Sequence, residues 1–434
     1  MTFRMDISTL YGYFTECSSV VTDTRDCKQD ALFIALKGKN FDGNAFARQA
    51  LERGCRYALV DEDVYAKEGD GRILLVGNCL KALQALANYH RRRLAKPVIG
   101  ITGTNGKTTT KELIASVLKE KYNVLYTEGN LNNHIGVPLT LLRIKEDTEL
   151  AVVEMGASHP GEIAALCEIA EPDYGIITNV GKAHLEGFGS FEGVIKTKGE
   201  LYDFLRKKSH SKIFIHNENP YLNAISEGLD CIRYGTDDHL YVSGQLLSCT
   251  PFVTFRWKGG GASYEVRTHL IGKYNLDNLL AAVAFGRYFG VADEKICHAL
   301  ENYEPRNNRS QLVQTERNRL IVDAYNANPS SMRAALENFR DMSGGPKMVV
   351  LGDMKELGAA SREEHRKVVE LLKEYAFDRV MLIGEEFGKV RNGFEWYATT
   401  DDAAVALRSD KPEGYVILIK GSNSMKLGSL SENF

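Results

Sequence analysis

The stretch that most constrains this chain is a glycine-rich turn between a predicted strand and a predicted helix. An apolar run from Val98 to Ile101 enters the turn, and an apolar helical pattern from Leu113 to Leu118 follows it. Backbone N–H groups in such a turn point inward, and the helix N-terminus adds positive potential, so an anion binds there. The pattern predicts a phosphate loop formed by Gly103, Thr104, Asn105, Gly106, Lys107, Thr108 and Thr109.

Within this loop, Lys107 would reach the terminal phosphates of a nucleotide, and the hydroxyl of Thr108 would bind Mg²⁺. The common phosphate-loop pattern has a glycine where this chain has Ile101. A turn that merely links strand to helix is therefore the alternative, and the Gly-Lys-Thr sequence at a strand-to-helix junction argues against it. The segment from Thr102 to Thr109 resembles the loop of the Mur ligase family, which are ATP-dependent amide-forming enzymes of peptidoglycan assembly related to folylpolyglutamate synthetases.

Length, composition and charge restrict the number of domains, the possible partners and the compartment. The chain has 434 residues, which favours about three domains. A net charge of -3 gives no reason to expect nucleic acid or an anionic membrane as a partner. No apolar run approaches the roughly 20 residues that span a bilayer, and the N-terminus lacks an apolar signal core. Eight cysteines without a Cys-x-x-Cys pair argue against a zinc or redox motif and predict reduced thiols in the cytoplasm.

The order of strand-like and helical patterns predicts an α/β protein. The resemblance implies the three-domain architecture of Mur ligases: a UDP-substrate-binding α/β domain over 1–95, a central ATP-binding phosphate-loop domain with a parallel sheet over 96–308, and a C-terminal Rossmann-like domain over 309–434. Between Phe252 and Arg267, two alternating strands flank Gly259-Gly260-Gly261, which predicts a hairpin.

Two polar clusters interrupt the strands of the first domain, one over Thr22–Arg25 and one over Lys37–Asn44, which ends in Asp42-Gly43-Asn44. Their spacing alone predicts turns. By resemblance they correspond to the uridine-nucleotide loops of the Mur tripeptide ligases, with Thr24 in place of a serine and Asn44 in place of a histidine. Both replacements keep hydrogen-bonding capacity, so the resemblance implies that these residues bind the UDP substrate.

Polar motifs also follow strands of the central domain, where ligands of parallel sheets bind. Glu154 ends the apolar run Leu150–Val153, and a carboxylate there can hold Mg²⁺, although a helix cap is the alternative. His184 follows the next strand and has the alternative of an ordinary loop histidine. The resemblance implies that Glu154 and His184 belong to a metal site together with Thr108 and Lys198, and that Asn133 contacts substrate.

Lys198 matches the special lysine of the family's Lys-x-Glu region. The resemblance implies that it works as a carbamate, whose two oxygens suit a second Mg²⁺. Only a neutral amine reacts with CO₂, and burial together with a nearby cation would enlarge the neutral fraction. The alternative is an ammonium paired with Glu200 or Glu154.

The last motifs are assigned to the nucleotide and to substrate. The segment that begins at Gly272 resembles a family stretch whose asparagines lie near the adenine, here Asn275 and Asn278, although helix-start asparagines are often plain caps. Arg309 matches a hinge arginine that reaches the nucleotide. By resemblance, Asp323 joins the nucleotide site, and the substrate site takes in Tyr325, Asn326, Asn328, Asp353 and Lys420. Arg309, Asn326 and Lys420 are expected to meet near Lys107 when the domains close.

The resemblance covers essentially the whole chain, in the family's motif order, and favours the branch that adds D-alanyl-D-alanine. It implies a cytoplasmic, monomeric ligase that uses ATP and Mg²⁺ to join this dipeptide to UDP-N-acetylmuramoyl-tripeptide through an acyl phosphate. Lys107, Lys198 and His184 would be the catalytic residues. The alternatives are another Mur-type ligase, either tripeptide-forming or like a folylpolyglutamate synthetase, and a catalytically inactive nucleotide-binding module.

Overall fold

The structure, a computed structural model, describes residues 5–66, 71–305 and 309–434. Three separate sheets follow one another along these ranges, and each is flanked by helices. The predicted α/β fold class is therefore confirmed. The predicted boundary at 308 lies outside the described residues, and the domain limits stay predictions.

The first sheet is parallel throughout, with the order β1-β2-β3-β4. Short 3₁₀ helices over Thr24–Asp26 and Gly43–Phe46 lie in its loops. Its strands are Val20–Val21 (β1), Leu32–Ile34 (β2), Tyr57–Val60 (β3) and Ile73–Leu75 (β4), and its helices are Ile7–Thr15 (α1), Ala47–Glu52 (α2), Asp63–Ala66 (α3) and Cys79–Leu94 (α4).

The central sheet is parallel from β6 to β11 and antiparallel beyond, in the order β13-β12-β11-β10-β9-β8-β5-β7-β6. Its strands are Val98–Thr102 (β5), Val124–Tyr126 (β6), Leu150–Glu154 (β7), Tyr174–Ile177 (β8), Lys212–His216 (β9), Cys231–Gly235 (β10), Val242–Cys249 (β11), Phe252–Gly259 (β12) and Ala262–Ile271 (β13). The predicted hairpin is confirmed, because Gly259 pairs with Ala262 across the turn between β12 and β13.

Helices cover both faces of the central sheet. They are Lys107–Lys119 (α5), Gly136–Leu141 (α6), Glu162–Ala170 (α7), Leu185–Phe188 (α8), Phe191–Arg206 (α9), Pro220–Ile225 (α10), Asn275–Tyr288 (α11) and Asp293–Glu301 (α12). The helix α11 is apolar nearly all round, as expected of a buried helix, and packs against α5. On the other face, α4 of the first domain packs against α6 and α7.

The C-terminal sheet has the order β14-β15-β19-β16-β17-β18 and is parallel except for its edge strand β14. Its strands are Gln311–Gln314 (β14), Arg319–Asp323 (β15), Lys347–Gly352 (β16), Arg379–Ile383 (β17), Glu395–Tyr397 (β18) and Val416–Lys420 (β19), and its helices are Pro329–Asp341 (α13), Ser361–Tyr375 (α14), Glu385–Gly388 (α15) and Thr400–Ser409 (α16). Further 3₁₀ turns span Gly358–Ala360, Asn423–Met425 and Leu427–Asn433.

The C-terminal sheet lies against the central domain at the carboxyl ends of the central strands. Asn328 Nδ2 donates to Asn105 Oδ1 at 2.7 Å, and the backbone N–H of Lys182 donates to Ser330 Oγ at 3.2 Å. The two sheets thus present their ligand-binding edges to the same space. Among the helices in the described part of the chain, none is both long and apolar enough to cross a membrane.

Candidate active site

The phosphate loop connects β5 to α5, as the sequence predicts. Gly106 is the N-cap of α5 at φ 77°, and Gly103 has φ 144°, conformations that favour glycine. A Cβ atom on Gly103 would lie 2.0 Å from Thr178 Oγ1, so this position also has no room for a side chain. The loop therefore needs both glycines, even though the glycine of the common pattern is replaced by Ile101.

Two residues that directly follow β8, the strand beside β5, fix the conformation of the phosphate loop. Asn179 Oδ1 accepts the backbone N–H of Asn105 at 3.0 Å, and Thr178 Oγ1 donates to the carbonyl of Asn105 at 2.6 Å. The backbone N–H of Thr104 donates to the carbonyl of Asn179 at 2.9 Å. These bonds fix the loop before any ligand binds, so its N–H groups at the start of α5 are preorganised for an anion.

Lys107 curls back over its own loop. Its Nζ donates to the carbonyls of Gly103 at 2.9 Å and Thr104 at 3.1 Å. Burial lowers the pKa of Lys107, and the cation of Arg309 acts in the same direction. The ammonium thus occupies the centre of the loop, where the phosphates of a nucleotide would attract it.

Glu154 ends β7 beside the loop and is 1% exposed. Its Oε2 accepts a hydrogen bond from Thr108 Oγ1 at 2.9 Å, and its Oε1 accepts one from Asn132 Nδ2 at 2.8 Å. A hydroxyl and a carboxylate in contact at the start of a phosphate-binding helix are oxygen ligands of the kind that Mg²⁺ prefers. The residues present therefore fit this ion.

Lys198 lies on α9, is 2% exposed, and makes neither of the ion pairs considered for it. Glu200 accepts the backbone N–H groups of Gly161 and Ala164 instead. The Lys198 Nζ is 3.4 Å from the carbonyl oxygen of Ala157 and 5.2 Å from the ring centroid of Phe188. Burial, together with the cation of Lys107, lowers the pKa of Lys198 to about 7.

His184 faces the C-terminal domain. Its backbone is left-handed at φ 50°, and its Nδ1 forms an ion pair with the carboxylate of Glu356, which is also left-handed at φ 63°. The hydrogen bond and charge of His184 lower the pKa of Glu356. Two residues with strained backbones, one from the central and one from the C-terminal domain, thus meet at the domain interface.

A cavity of about 1020 Å³ connects Lys107, Glu154 and His184, whereas Lys198 lies outside its described lining. Its walls come from the phosphate loop, from the ends of the central strands, from α11 and from the C-terminal domain. The predicted site residues that line it are Thr104, Asn105, Gly106, Lys107, Thr108, Thr109, Asn133, Glu154, His184, Asn275, Asn278, Arg309, Asp323, Tyr325, Asn326, Asn328 and Lys420. The structure therefore brings Arg309, Asn326 and Lys420 into one space with Lys107.

The charged side chains on the C-terminal wall of the cavity contact one another or a neighbouring ring. Lys420 Nζ donates to Asp323 Oδ2 at 2.5 Å and to the carbonyl of Asn326 at 3.3 Å. The Arg309 guanidinium stacks 3.7 Å from the ring centroid of Tyr325. Lys420 is almost fully buried, so its charge is held by Asp323 rather than by water.

The predicted asparagines of the central domain form hydrogen bonds with other protein groups around the phosphate loop. Asn278 Oδ1 accepts from Thr110 Oγ1 at 2.9 Å, and its Nδ2 donates to Asn275 Oδ1 at 2.8 Å. Asn275 Nδ2 donates to the carbonyl of Ile271. Asn133 Oδ1 accepts the backbone N–H of Gly136 at the start of α6.

The substrate contact of Asp353 stays a prediction, and in this structure the side chain lies away from the cavity. It is fully buried and lies outside the described lining of the cavity. Its carboxylate accepts the backbone N–H groups of Glu386 at 3.1 Å and Phe387 at 3.0 Å and so caps α15. Asp353 directly follows β16, as predicted, and its side chain points into the domain, where it satisfies backbone N–H groups at the N-terminus of α15.

The predicted UDP-binding residues lie in the first domain, away from this cavity. Asp42 and Gly43 form the loop around Asn44, which is fully buried. The Asn44 Nδ2 donates to Asp42 and Asp61, while its Oδ1 accepts the backbone N–H of Asp61. Both donors of the Asn44 amide are thereby used within the protein, so this side chain shapes the loop and offers no free donor.

The other loop of the first domain is open. Arg25 is paired with Asp23, and the Arg25 side chain is 84% exposed. Thr24 Oγ1 donates to Gln49 Oε1 at 3.1 Å, and the carbonyl of Thr24 accepts from Arg53. This loop therefore presents an exposed cation at the surface of the first domain.

Three residues that contact predicted site residues were not predicted from the sequence. Asn132 holds Glu154, Glu356 holds His184, and Lys111 lies buried next to Glu154. Asn132 could have been found from its place beside Asn133. The roles of Glu356 and Lys111 depend on tertiary contacts that no local pattern contains.

The chain matches three family models along its length. The model described as "Mur ligase family, catalytic domain" matches residues 16–91, "Mur ligase middle domain" matches 101–286, and "Mur ligase, glutamate ligase domain" matches 308–423. The three matches follow the order of the three sheets.

Named proteins and solved structures are similar to this chain over nearly its whole length. The UDP-N-acetylmuramoyl-tripeptide–D-alanyl-D-alanine ligase of Bacillus subtilis is 39% identical and covers 95% of this chain and 92% of its own. The crystal structure of MurF from Acinetobacter baumannii is 29% identical with a TM-score of 0.86, covering 98% of both chains. The MurF ligase from Thermotoga maritima in complex with ADP is 27% identical, with a TM-score of 0.85 and 97% of both chains covered.

Proposed function

The chain belongs to the Mur ligase family, and we propose that it joins D-alanyl-D-alanine to the peptide carboxyl of UDP-N-acetylmuramoyl-tripeptide, with ATP converted to ADP and phosphate, in peptidoglycan precursor synthesis. The observation that carries this proposal is the match, at 39% identity over 95% of the chain, to a ligase of this name. The shared cavity, which joins the phosphate loop to the C-terminal domain, supports it.

The chemistry requires an activated carboxyl group. A carboxylate is a poor acceptor for an amine, and transfer of the γ-phosphoryl group from ATP turns it into an acyl phosphate with a good leaving group. The backbone N–H groups of the loop and the Lys107 ammonium would hold the phosphates and neutralise the charge that develops there. The dipeptide amine then attacks the acyl carbon and expels phosphate.

We assign one Mg²⁺ to Thr108 and Glu154, and a second Mg²⁺ to Glu154, His184 and Lys198 as a carbamate. The ions would supply charge neutralisation on the nucleotide phosphates, and the contact between the Thr108 hydroxyl and the Glu154 carboxylate supports the first assignment. In the described structure His184 is paired with Glu356. Its imidazole would have to exchange that carboxylate for the metal site.

Lys198 is proposed to act as a carbamate. A pKa of about 7 leaves about half of the amine neutral at pH 7, compared with about one part in a few thousand for a free lysine. The neutral amine attacks the carbon of CO₂, one C=O bond opens to an oxyanion, and the nitrogen loses a proton to solvent. The absence of a salt bridge on Lys198 among the described residues supports this role.

The remaining residues are assigned by their position in the cavity. Asn275, Asn278, Arg309 and Asp323 would border the nucleotide, and Asn133, Tyr325, Asn326, Asn328 and Lys420 would border the peptide substrates. Thr24, Arg25 and the loop Asp42–Asn44 would take the uridine nucleotide in the first domain. Contact between the central and C-terminal domains around the acyl phosphate would exclude water.

The setting proposed for this reaction is the cytoplasm. All eight cysteines fall within the described residues and are free, which supports a reducing compartment. We further propose that the enzyme acts as a monomer, because the site is assembled from the domains of one chain.

Phosphate release distinguishes this function from its alternatives. Release from ATP should require both UDP-N-acetylmuramoyl-tripeptide and D-alanyl-D-alanine, and omission of either should abolish it. A tripeptide-forming ligase would instead need a UDP-dipeptide and a single amino acid, and a folylpolyglutamate synthetase would need a folate and glutamate. An inactive nucleotide-binding module would release no phosphate under any of these conditions.

A further inference from the structure

Lys111 is a buried cation next to the candidate metal site. It lies on α5, one turn after Lys107, and its side chain is 1% exposed. Its Nζ has no hydrogen-bond partner among the described residues. Buried ammonium groups normally donate hydrogen bonds from all their N–H groups. Since Lys111 donates none to the described residues, it acts on its neighbours through its charge.

Two carboxylates lie at nearly equal distance from this ammonium. The Lys111 Nζ is 3.8 Å from Glu154 Oε2 and 3.7 Å from Glu112 Oε1. Both distances are ion-pair contacts, and neither is a hydrogen bond. The ammonium therefore has two alternative anionic partners within the protein interior.

Lys111 is not needed to orient Glu154. Thr108 and Asn132 already donate hydrogen bonds to the two oxygens of that carboxylate. What Lys111 adds is a positive charge in a water-poor environment, where charges act strongly on one another. A divalent cation bound by Glu154 would be repelled by an ammonium held at this distance.

We propose that Lys111 is a positioning residue that balances the charge of Glu154 while no divalent cation is bound and turns to Glu112 when one binds. This inference rests on the proposed function, because it takes Glu154 as a metal ligand. Its consequence is a lower affinity of the nucleotide-free enzyme for the metal. A nucleotide brings its own negative charge, so metal binding is favoured when both arrive together.

Glu112 is a suitable second partner because it is already fixed. Its Oε2 accepts a hydrogen bond from Tyr303 Oη at 2.7 Å, which leaves Oε1 towards Lys111. Tyr303 precedes the segment that leads into the C-terminal domain. The ammonium is thus already in contact with a fixed second carboxylate and needs only a small shift away from Glu154.

The test uses Mn²⁺ as the probe, with free and bound ion measured by electron paramagnetic resonance on the full-length, nucleotide-free enzyme. Lys111→Met removes the charge and keeps an unbranched apolar chain, and it should tighten Mn²⁺ binding about tenfold or more. Lys119→Met is the matched control, because it removes the same charge from an exposed position on the same helix. It should bind Mn²⁺ like the wild type.

Equal Mn²⁺ affinity in Lys111→Met and wild type, weaker binding by the variant, or no detectable binding by it would overturn the proposal. Lys111→Gln provides a second neutral variant if the first fails to fold, with the same expectation. Glu154→Gln separates the two levels of inference. Loss of Mn²⁺ binding in Glu154→Gln with no effect of Lys111→Met contradicts the role of Lys111 alone, whereas unchanged binding in Glu154→Gln contradicts the metal site itself.

A double mutant tests the second position of the ammonium. Glu112→Gln keeps an acceptor for Tyr303 but removes the alternative anion, and it should weaken Mn²⁺ binding. If Glu112 acts through Lys111, the loss should disappear when Lys111→Met is already present. A loss of the same size in both backgrounds would contradict the proposed movement.

Discussion

His184, the N-cap residue of α8 in the central domain, and Glu356 in the C-terminal domain form an ion pair across the domain interface, and both have left-handed backbones. A second link lies nearby, where Lys182 Nζ is 3.5 Å from Glu364 Oε1. The proposed metal-site histidine is therefore also a contact between domains. Whether the imidazole of His184 is paired with Glu356 depends on how closely the C-terminal domain approaches the central domain.

We expect Glu356→Gln to loosen the ligand-free domain arrangement. The pair is partly exposed, so its loss should cost about 1 kcal/mol, or about a fivefold shift towards open forms. Small-angle scattering should show a larger radius of gyration for the variant without ligands. Glu363→Gln is the control, since Glu363 pairs with Arg366 inside its own domain. Identical scattering of Glu356→Gln and wild type would show that this pair does not restrain the domains.

Lys107→Ala should abolish turnover and leave binding of the UDP-tripeptide nearly intact. The ammonium lies at the centre of the phosphate loop, whereas the proposed uridine loops lie in another domain. Removal of a charged group that stabilises the transition state typically costs at least about a hundredfold in rate. Turnover and equilibrium binding should be measured on the same preparation, with Lys119→Ala as a neutralised control on the same helix. Near-normal product formation by Lys107→Ala would contradict the phosphate-loop assignment.

Activity should depend on CO₂ through Lys198. A pKa of about 7 means that the reactive neutral amine increases as the pH rises through 7 and is depleted below it. Enzyme held at pH 6 without CO₂ should lose activity and regain it when bicarbonate is added at pH 8. Lys198→Ala should lose most activity under both conditions, with partial rescue by acetate or another short carboxylate. A Mg²⁺–ATP complex with a bare ammonium at Lys198, prepared in bicarbonate buffer, would contradict the carbamate.

Asp353→Ala should reduce stability more than substrate affinity. The carboxylate caps α15, and loss of such a cap costs about 1–2 kcal/mol. Urea unfolding should show this loss, while the KM for D-alanyl-D-alanine should stay close to the wild-type value. Glu385→Ala, at the exposed first position of the same helix, serves as the control. A large rise in KM with unchanged stability would instead place Asp353 at the substrate.

The phosphate loop and the hairpin could be read from sequence because both depend on residues close together in the chain. Gly103, Gly106 and Lys107 define a turn, and Gly259 to Gly261 define another. Long-range partners decide the rest. Asn44 looks like a loop donor, but its two donors are used by Asp42 and by Asp61, which is 17 residues away.

Buried charge is the other feature that local patterns miss. From the local pattern, Lys111 would be expected on the solvent face of an amphipathic helix. Its side chain is instead enclosed between Glu112 and Glu154. Asp353 follows a strand like the other predicted site residues, and only the later placement of α15 turns it inward. In both cases the partner that fixes the role is contributed by packing.

The most direct test of the central claim follows oxygen during the reaction. UDP-N-acetylmuramoyl-tripeptide would carry ¹⁸O in both oxygens of the carboxyl group that is to be joined, and the phosphate released with D-alanyl-D-alanine would be analysed by mass spectrometry. An acyl-phosphate route predicts one ¹⁸O atom in each phosphate, because the bridging oxygen leaves with phosphorus. Phosphate without ¹⁸O, released while the amide product forms, would contradict it.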